Sequence, residues 1–116
     1  MTSAPDTAGA ELHFLFGVHN HQPAGNFDGV IAEATAAAYR PFFEVLRSEP
    51  DVALTVHCSG SLLGWLREHA GKTFDLLGEL AASGRVELLT GGFYEPILPM
   101  LREPDKVGQI QRLTEF

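Results

Sequence analysis

The chain has one cysteine in 116 residues, eight lysines and arginines in all, and no apolar run that approaches membrane-spanning length. A lone cysteine excludes an internal disulfide and a cysteine-built zinc cluster, and it fits a reducing compartment. Eight basic against fifteen acidic residues leave a net charge of −7. The basic residues are few and scattered, so nucleic acid and anionic membranes are poor candidate partners. The first eleven residues are small, polar and acidic, without the charged-then-apolar pattern of a signal peptide, so a cytoplasmic location is expected. No internal repeat or low-complexity segment is visible. What is present is an ordinary apolar fraction of 45%, enough for a folded domain or for a piece of a larger one.

The informative stretch is Phe14-Leu15-Phe16-Gly17-Val18-His19-Asn20-His21-Gln22-Pro23. A short apolar run ends abruptly in histidines, an asparagine, a glutamine and a proline, as a buried strand does when it emerges into a polar mouth. At period two, Leu12, Phe14, Phe16 and Val18 share one face, while His13, Leu15, Gly17, His19 and His21 share the other. His19 and His21 therefore point the same way, and Gly17 keeps the floor beneath them open.

Residues 1–10 read as a flexible tail and residues 11–18 as the first strand. Gly25-Asn26-Phe27-Asp28 is a turn with a candidate helix cap, followed by an alanine-rich helix over residues 30–39. Pro41 predicts a kink or break at Tyr39-Arg40, with helix resuming through Arg47. The second strand, at 52–57, sets Val52, Leu54 and Val56 on one side and Ala53, Thr55 and His57 on the other. Ser59-Gly60-Ser61, with Ser61 as the favoured cap, leads into a helix carrying Leu62, Leu63, Trp65 and Leu66. Another helix, at 72–83, stops at Gly84. The third strand, at 85–90, turns Val86 and Leu88 outward and Glu87 and Leu89 inward. Gly91-Gly92 opens a loop containing Phe93, Tyr94 and Glu95. Pro104 then starts a helix with the stripe Val107, Ile110 and Leu113, still running at Phe116.

Three strands alternating with helices predict an α/β fold of parallel β/α units. The inward polar residue on each strand favours part of a barrel over an open sheet. Three units do not close one.

On this topology His19, His21, His57 and Glu87 converge on one mouth, with Tyr94 and Glu95 on the loop above. Three chemistries suit that set. Imidazoles, a carboxylate and aromatics can hydrogen-bond and stack on a sugar. His19-x-His21 with His57 and a carboxylate can ligate zinc. The same groups can also form a purely structural polar network. Glu87 and Glu95 are the obvious carboxylate pair for glycoside hydrolysis, but they approach from one side of the mouth, whereas flanking a bond usually takes different strands. Cys58, next to His57, alternates to the outer face and reads as packing. Trp65 reads as core, and His13 and His69 as structural or solvated.

His19-Asn20-His21-Gln22-Pro23 resembles the first motif of glycoside hydrolase family 57. The likeness continues through Gly25-Asn26-Phe27, Tyr39-Arg40-Pro41-Phe42, Ser59-Gly60, Gly84-Arg85-Val86-Glu87-Leu88-Leu89, Gly92-Phe93-Tyr94-Glu95-Pro96 and Gly108-Gln109-Ile110. It covers nearly all of residues 12–116 and is nearest to the 4-α-glucanotransferase and α-amylase group. The resemblance implies a partial (β/α)7 barrel in its first three β/α units. It also implies retaining chemistry on an α-1,4-glucan or maltooligosaccharide, without cofactor or metal. His21 and Glu87 match active-site positions that contact sugar, and His19 is the companion histidine of the first motif. The nucleophilic glutamate and acid/base aspartate belong to later motifs that nothing in this segment matches, so no catalytic residue is expected before Phe116. Arg85, Cys58 and Ser61 depart from the commoner glutamine, aromatic and proline. The segment is expected to need the rest of the catalytic domain, to be inactive alone, and to self-associate through its open strand edges.

Overall fold

The computed structural model describes Gly9 and residues 11–116. The tail expected at residues 1–10 lies outside the described residues apart from Gly9. Three short strands, β1 (Gly17–Asn20), β2 (Leu54–Cys58) and β3 (Val86–Leu89), form one parallel sheet in the order β1-β2-β3. Each is followed by helix: α1 (Asp28–Ala34) and α2 (Arg40–Ser48) after β1, α3 (Gly60–His69) and α4 (Gly71–Ala82) after β2, and α5 (Glu103–Thr114) after β3. The expected α/β class and its three parallel β/α units are observed.

Period-two alternation divides the sheet into a covered and an open face. Leu54, Val56 and Cys58 of β2 are buried, and they join Ile31, Phe43, Leu46, Leu62, Leu66, Leu76, Leu77, Leu80 and Val86 in one apolar core beneath the helices. Each such side chain contributes about 1.5–3 kcal/mol on burial. Arg85 ties sheet to helix by donating from Nη1 to the Leu46 carbonyl at 2.7 Å and to that of Glu49 at 3.2 Å, at the end of α2, where these carbonyls can accept a second bond.

The first strand is shorter and later than expected. Leu12, Phe14 and Leu15 are 92%, 82% and 93% exposed instead of buried. The register explains this. Gly17 pairs with Thr55, so Leu15 falls opposite Ala53 and His13 opposite Asp51, where the chain is still turning out of α2. The ladder ends for want of a partner. The other two strands also differ from 52–57 and 85–90 by a residue or two at their ends.

Pro41 does not break the helix. Residues 28–48 run continuously, with a π-helical turn at Thr35–Tyr39 between α1 and α2, and the Arg40 amide reaches back to the Thr35 carbonyl. A proline lacks the amide and crowds the preceding turn; widening that turn to five residues absorbs both defects. Two smaller corrections concern helix ends. Ser59, not Ser61, caps α3 by accepting from the Leu62 amide at 3.4 Å. Helix α5 ends at Thr114 and buries only Leu113 of its apolar stripe. Gly84, with φ +76°, terminates α4 as expected.

The loop after β3 is pinned to the start of α3 by one close approach. The Gly60 amide donates to the Phe93 carbonyl at 2.8 Å, and a Cβ on Gly60 would lie 2.2 Å from the buried Phe93 ring. Gly64, in the same helix, has nothing within 4 Å of its would-be Cβ. Gly60→Ala is therefore expected to destabilise the chain by about 1–3 kcal/mol through overpacking. Gly64→Ala should stabilise it by about 0.5–1 kcal/mol through helix propensity. Urea unfolding of the two variants beside the parent measures both signs.

Candidate functional site

The open face carries the polar cluster. His19, next to last in β1, pairs in register with His57 of β2, so the two imidazoles stand side by side. Their Nδ1 atoms are 2.8 Å apart and their rings 4.9 Å apart at 16°. His21 lies two residues on, its ring 6.1 Å from that of His19 and within 10° of parallel. Three near-parallel imidazoles thus line the carboxyl end of the sheet.

Glu95 reaches them from the loop after β3. Its Oε1 lies 3.3 Å from His19 Nε2 and 3.4 Å from His57 Nδ1, and its Oε2 lies 3.0 Å from His21 Nδ1. The loop is shaped for this reach. A Cβ on Gly91 would sit 3.0 Å from His57 Nε2, and one on Gly92 would strike Pro96 at 2.7 Å. Glu95 itself adopts φ +53°, the only left-handed non-glycine among the described residues, a conformation that costs roughly 1–3 kcal/mol and concentrates at functional sites. His21 Nδ1 and Glu95 Oε1 are buried without an aligned hydrogen bond. The short distances and the missing alignment are compatible: the atoms are within reach but off-line, as site hydrogen bonds often are before a ligand tightens them.

Burial holds the His57 imidazole below its ordinary pKa. The Glu95 carboxylate opposes that shift, and the neighbouring His19 and His21 add to it. Desolvation pushes the Cys58 thiol up to about 11, so this buried cysteine is packing, as its alternation suggested, and not a thiolate nucleophile.

Of the residues named from sequence, the structure brings His19, His21, His57 and Glu95 together. Glu87 pairs with Thr55, one inward position below the His57–Leu89 row, or roughly 7 Å along the strand. It is exposed and has no ion-pair partner among the described residues. Tyr94 leans toward α5, with its ring 4.8 Å from Phe93 and under the Arg112 guanidinium. Gly17 keeps the floor low, since a Cβ there would meet Thr55 Oγ1 at 2.6 Å. Trp65 is half-buried and packs against the rim of the core. Its indole donates to Asp28 Oδ1 at 2.8 Å and stacks on the exposed His69.

Sequence reasoning missed the supports behind the histidines. Gln22 Nε2 donates to the Tyr39 hydroxyl at 2.9 Å, and that hydroxyl donates to the His21 carbonyl at 3.2 Å. Asn26 Nδ2 donates to Gln22 Oε1 at 2.8 Å, and the Ser61 hydroxyl donates to the Gln22 carbonyl. The signal was available in Gln22, a polar residue directly after the histidines with no helical or capping reason to be there.

His19, His57 and Glu95 offer ligand atoms within 4.8 Å of one another, a spacing compatible with a cation. The ring planes of His19 and His57 are almost parallel, however. Imidazole lone pairs lie in the ring plane, so stacked rings aim along neighbouring planes rather than at one tetrahedral centre. The parallel rings disfavour metal ligation, and within the cluster the His19–His57 pair is the aligned hydrogen bond.

The sequence model for glycosyl hydrolase family 57 matches residues 15–116. A 4-alpha-glucanotransferase of Thermococcus kodakarensis is 44% identical over 105 residues, 90% of this chain. An alpha-amylase of Pyrococcus horikoshii is 49% identical over 100 residues, 86% of this chain. The crystal structure of the 4-alpha-glucanotransferase from Thermococcus litoralis superposes with a TM-score of 0.84 at 44% identity, covering 87% of this chain. The chain spans about 16% of the length of each of these relatives.

The depressed His57 pKa generates a pH dependence with a definite sign. Below about pH 6.5 the unfolded chain binds a proton that the folded chain resists, so stability rises with pH through this window and is lost as pH falls. Denaturant midpoints should therefore drop between pH 7.5 and 5.5, and His57→Gln should flatten that slope. An unchanged slope in the variant would remove His57 as its source.

Proposed function

The chain belongs to glycosyl hydrolase family 57, and from that premise we propose that it forms the N-terminal segment of a retaining enzyme acting on α-1,4-glucans, of the 4-α-glucanotransferase or α-amylase kind. The observation that carries the proposal is the cluster of His19, His21, His57 and Glu95 at the carboxyl ends of parallel strands, where barrel enzymes keep their sites. His19, His21, Glu87, His57, Tyr94 and Glu95 line the donor-sugar site, with His21 and Glu87 nearest the reacting ring. The nucleophilic glutamate and acid/base aspartate come from elsewhere in a protein of the relatives' length. There the glutamate attacks the anomeric carbon while the aspartate protonates the leaving oxygen, then activates water or an acceptor sugar hydroxyl. The free Cys58 fits a reducing compartment, and the proposal sets the enzyme in the cytoplasm.

Beside a non-catalytic glycan-binding remnant, the alternative is a metal-dependent carbohydrate hydrolase or deacetylase built on the same imidazoles, which their ligand spacing favours and their parallel rings disfavour. One experiment separates the two. In the whole enzyme, Glu87→Gln and His21→Ala should each lower kcat/KM on maltooligosaccharides by about ten- to hundredfold, the loss expected for one or two hydrogen bonds, while the fold persists. Chelators should not inhibit the parent, and added zinc should not rescue His21→Ala. Inhibition by chelation together with zinc rescue would establish the metal reading instead.

The chain by itself should bind no catalytic machinery and should self-associate. Both β1 and β3 are sheet edges, and Leu12, Phe14, Leu15, Leu88 and Leu89 are exposed. Unpaired parallel edges beside exposed apolar side chains invite pairing between copies. Sedimentation of the 116-residue chain should show oligomers, and maltooligosaccharides should persist in its presence. A monomeric, cooperatively melting chain would overturn the association; glucan transfer lost in Glu87→Gln or Glu95→Gln would place the catalytic carboxylates in this segment.

A further inference from the structure

The four contacts within the cluster constrain where its protons sit. Only the His19–His57 contact is aligned as a hydrogen bond; the three contacts to Glu95 are close but off-line, and beside a carboxylate, which can only accept, a ring N–H is favoured over a bare lone pair. The nitrogens facing Glu95 are His19 Nε2, His57 Nδ1 and His21 Nδ1. The fourth contact, His19 Nδ1 to His57 Nδ1 at 2.8 Å, needs one donor and one acceptor. With His57 Nδ1 protonated it donates, and His19 Nδ1, bare because that ring carries its proton on Nε2, accepts. One assignment therefore serves every facing pair with a single proton on each ring, the His57 Nδ1 proton going to His19 Nδ1 at 2.8 Å while also lying toward Glu95 Oε1 at 3.4 Å. The opposite choice, a bare His57 Nδ1, points a lone pair at the carboxylate and obliges His19 to carry two protons. Burial of His57, which disfavours its charged form, agrees with the neutral assignment.

We propose that Glu95 is a positioning residue that fixes the tautomers of the three imidazoles, so that His21 and His57 carry their proton on Nδ1 and keep Nε2 as a bare acceptor. The consequence differs between the two rings. His57 Nε2 lies over the Gly91 backbone, 3.0 Å from where a Cβ would stand. His21 is a third exposed while its Nδ1 is buried, so the ring edge open to a ligand is the one bearing Nε2. Resting on the glucan reading above, this makes His21 Nε2 the acceptor for a hydroxyl proton of the donor sugar, with Glu95 holding the ring from its opposite edge. The backbone of Glu95 is left-handed, at φ +53°, a conformation glycine adopts with less strain.

That backbone also supplies a clean variant. Glu95→Gly removes the carboxylate and relieves the strained φ at once, so loss of the network cannot be blamed on a strained loop. The test is a long-range ¹H–¹⁵N correlation of ¹⁵N-histidine-labelled chain above pH 7.5, with magic-angle-spinning spectra of the same sample where the chain associates. In the parent chain, Nδ1 of His21 and His57 should show the shift of a protonated nitrogen and Nε2 that of a bare one, with His19 reversed. In Glu95→Gly, His21 should move to the Nε2–H form that a solvated imidazole favours. Parent His21 or His57 in the Nε2–H form would overturn the proposal on the first spectrum, without recourse to a variant. Persistence of Nδ1–H in Glu95→Gly would assign the tautomer to some other partner and overturn Glu95's part. The spectra involve no sugar. They can therefore fail while glucan binding stands, and a whole enzyme indifferent to His21→Ala would sink the glucan reading while the tautomers stand.

Discussion

The register of β1 on β2 is the constraint from which the rest follows. Gly17 opposite Thr55 sets His19 opposite His57, and side chains directly across parallel strands have no choice but to meet. A slip of one residue would turn His19 toward the helices and bring Val18 onto the open face, dismantling cluster and core together. The register is held from the covered side, where Leu54, Val56 and Cys58 are buried under α3 and α4. Apolar burial on one face thus positions polar groups on the other.

The loop after β3 converts that row of histidines into a site. Its conformation is set at a distance from the chemistry, by the Gly60–Phe93 contact, by Phe93 and Tyr94 amides bonded to Gln109, and by the Arg112 guanidinium over the Phe93 ring. These contacts fix where Glu95 begins, and its left-handed φ fixes where its carboxylate ends. The π turn before Pro41 has the matching role on the other side. Widening the helix there places the Tyr39 hydroxyl against the His21 carbonyl and the Gln22 amide, bracing the segment that carries His21. A proline defect and a strained glutamate, each unfavourable locally, are offset by the core around them.

The two faces of the sheet also differ in how complete they are. Beneath the helices, the core around Phe43, Leu62 and Leu66 is fully shielded. On the open face Leu89 and Glu87 remain exposed, as does the apolar run from Leu12 to Leu15. The chain spans about 16% of its relatives' length and superposes closely on part of one of them; its own architecture is three parallel β/α units with one sheet face covered and the other open.

Sequence alone determined the order of elements, their parallel pairing and the face of each inward residue, because hydrophobic periodicity and glycine or proline punctuation are local properties. It also determined that His19, His21 and His57 share a mouth, since alternation and β/α topology suffice for that. Tertiary structure decided what no local pattern encodes. The first strand is short because its partner is still turning at Asp51. Pro41 widens a helix instead of ending it because the core on both sides holds the helix together. Ser59 caps where Ser61 was expected because the helix already begins at Gly60, whose amide the Phe93 carbonyl holds. Glu95 joined the histidines and Glu87 stayed a row below them for the same reason: a residue on a strand is bound to its register, whereas one on a loop goes where the packing of that loop sends it.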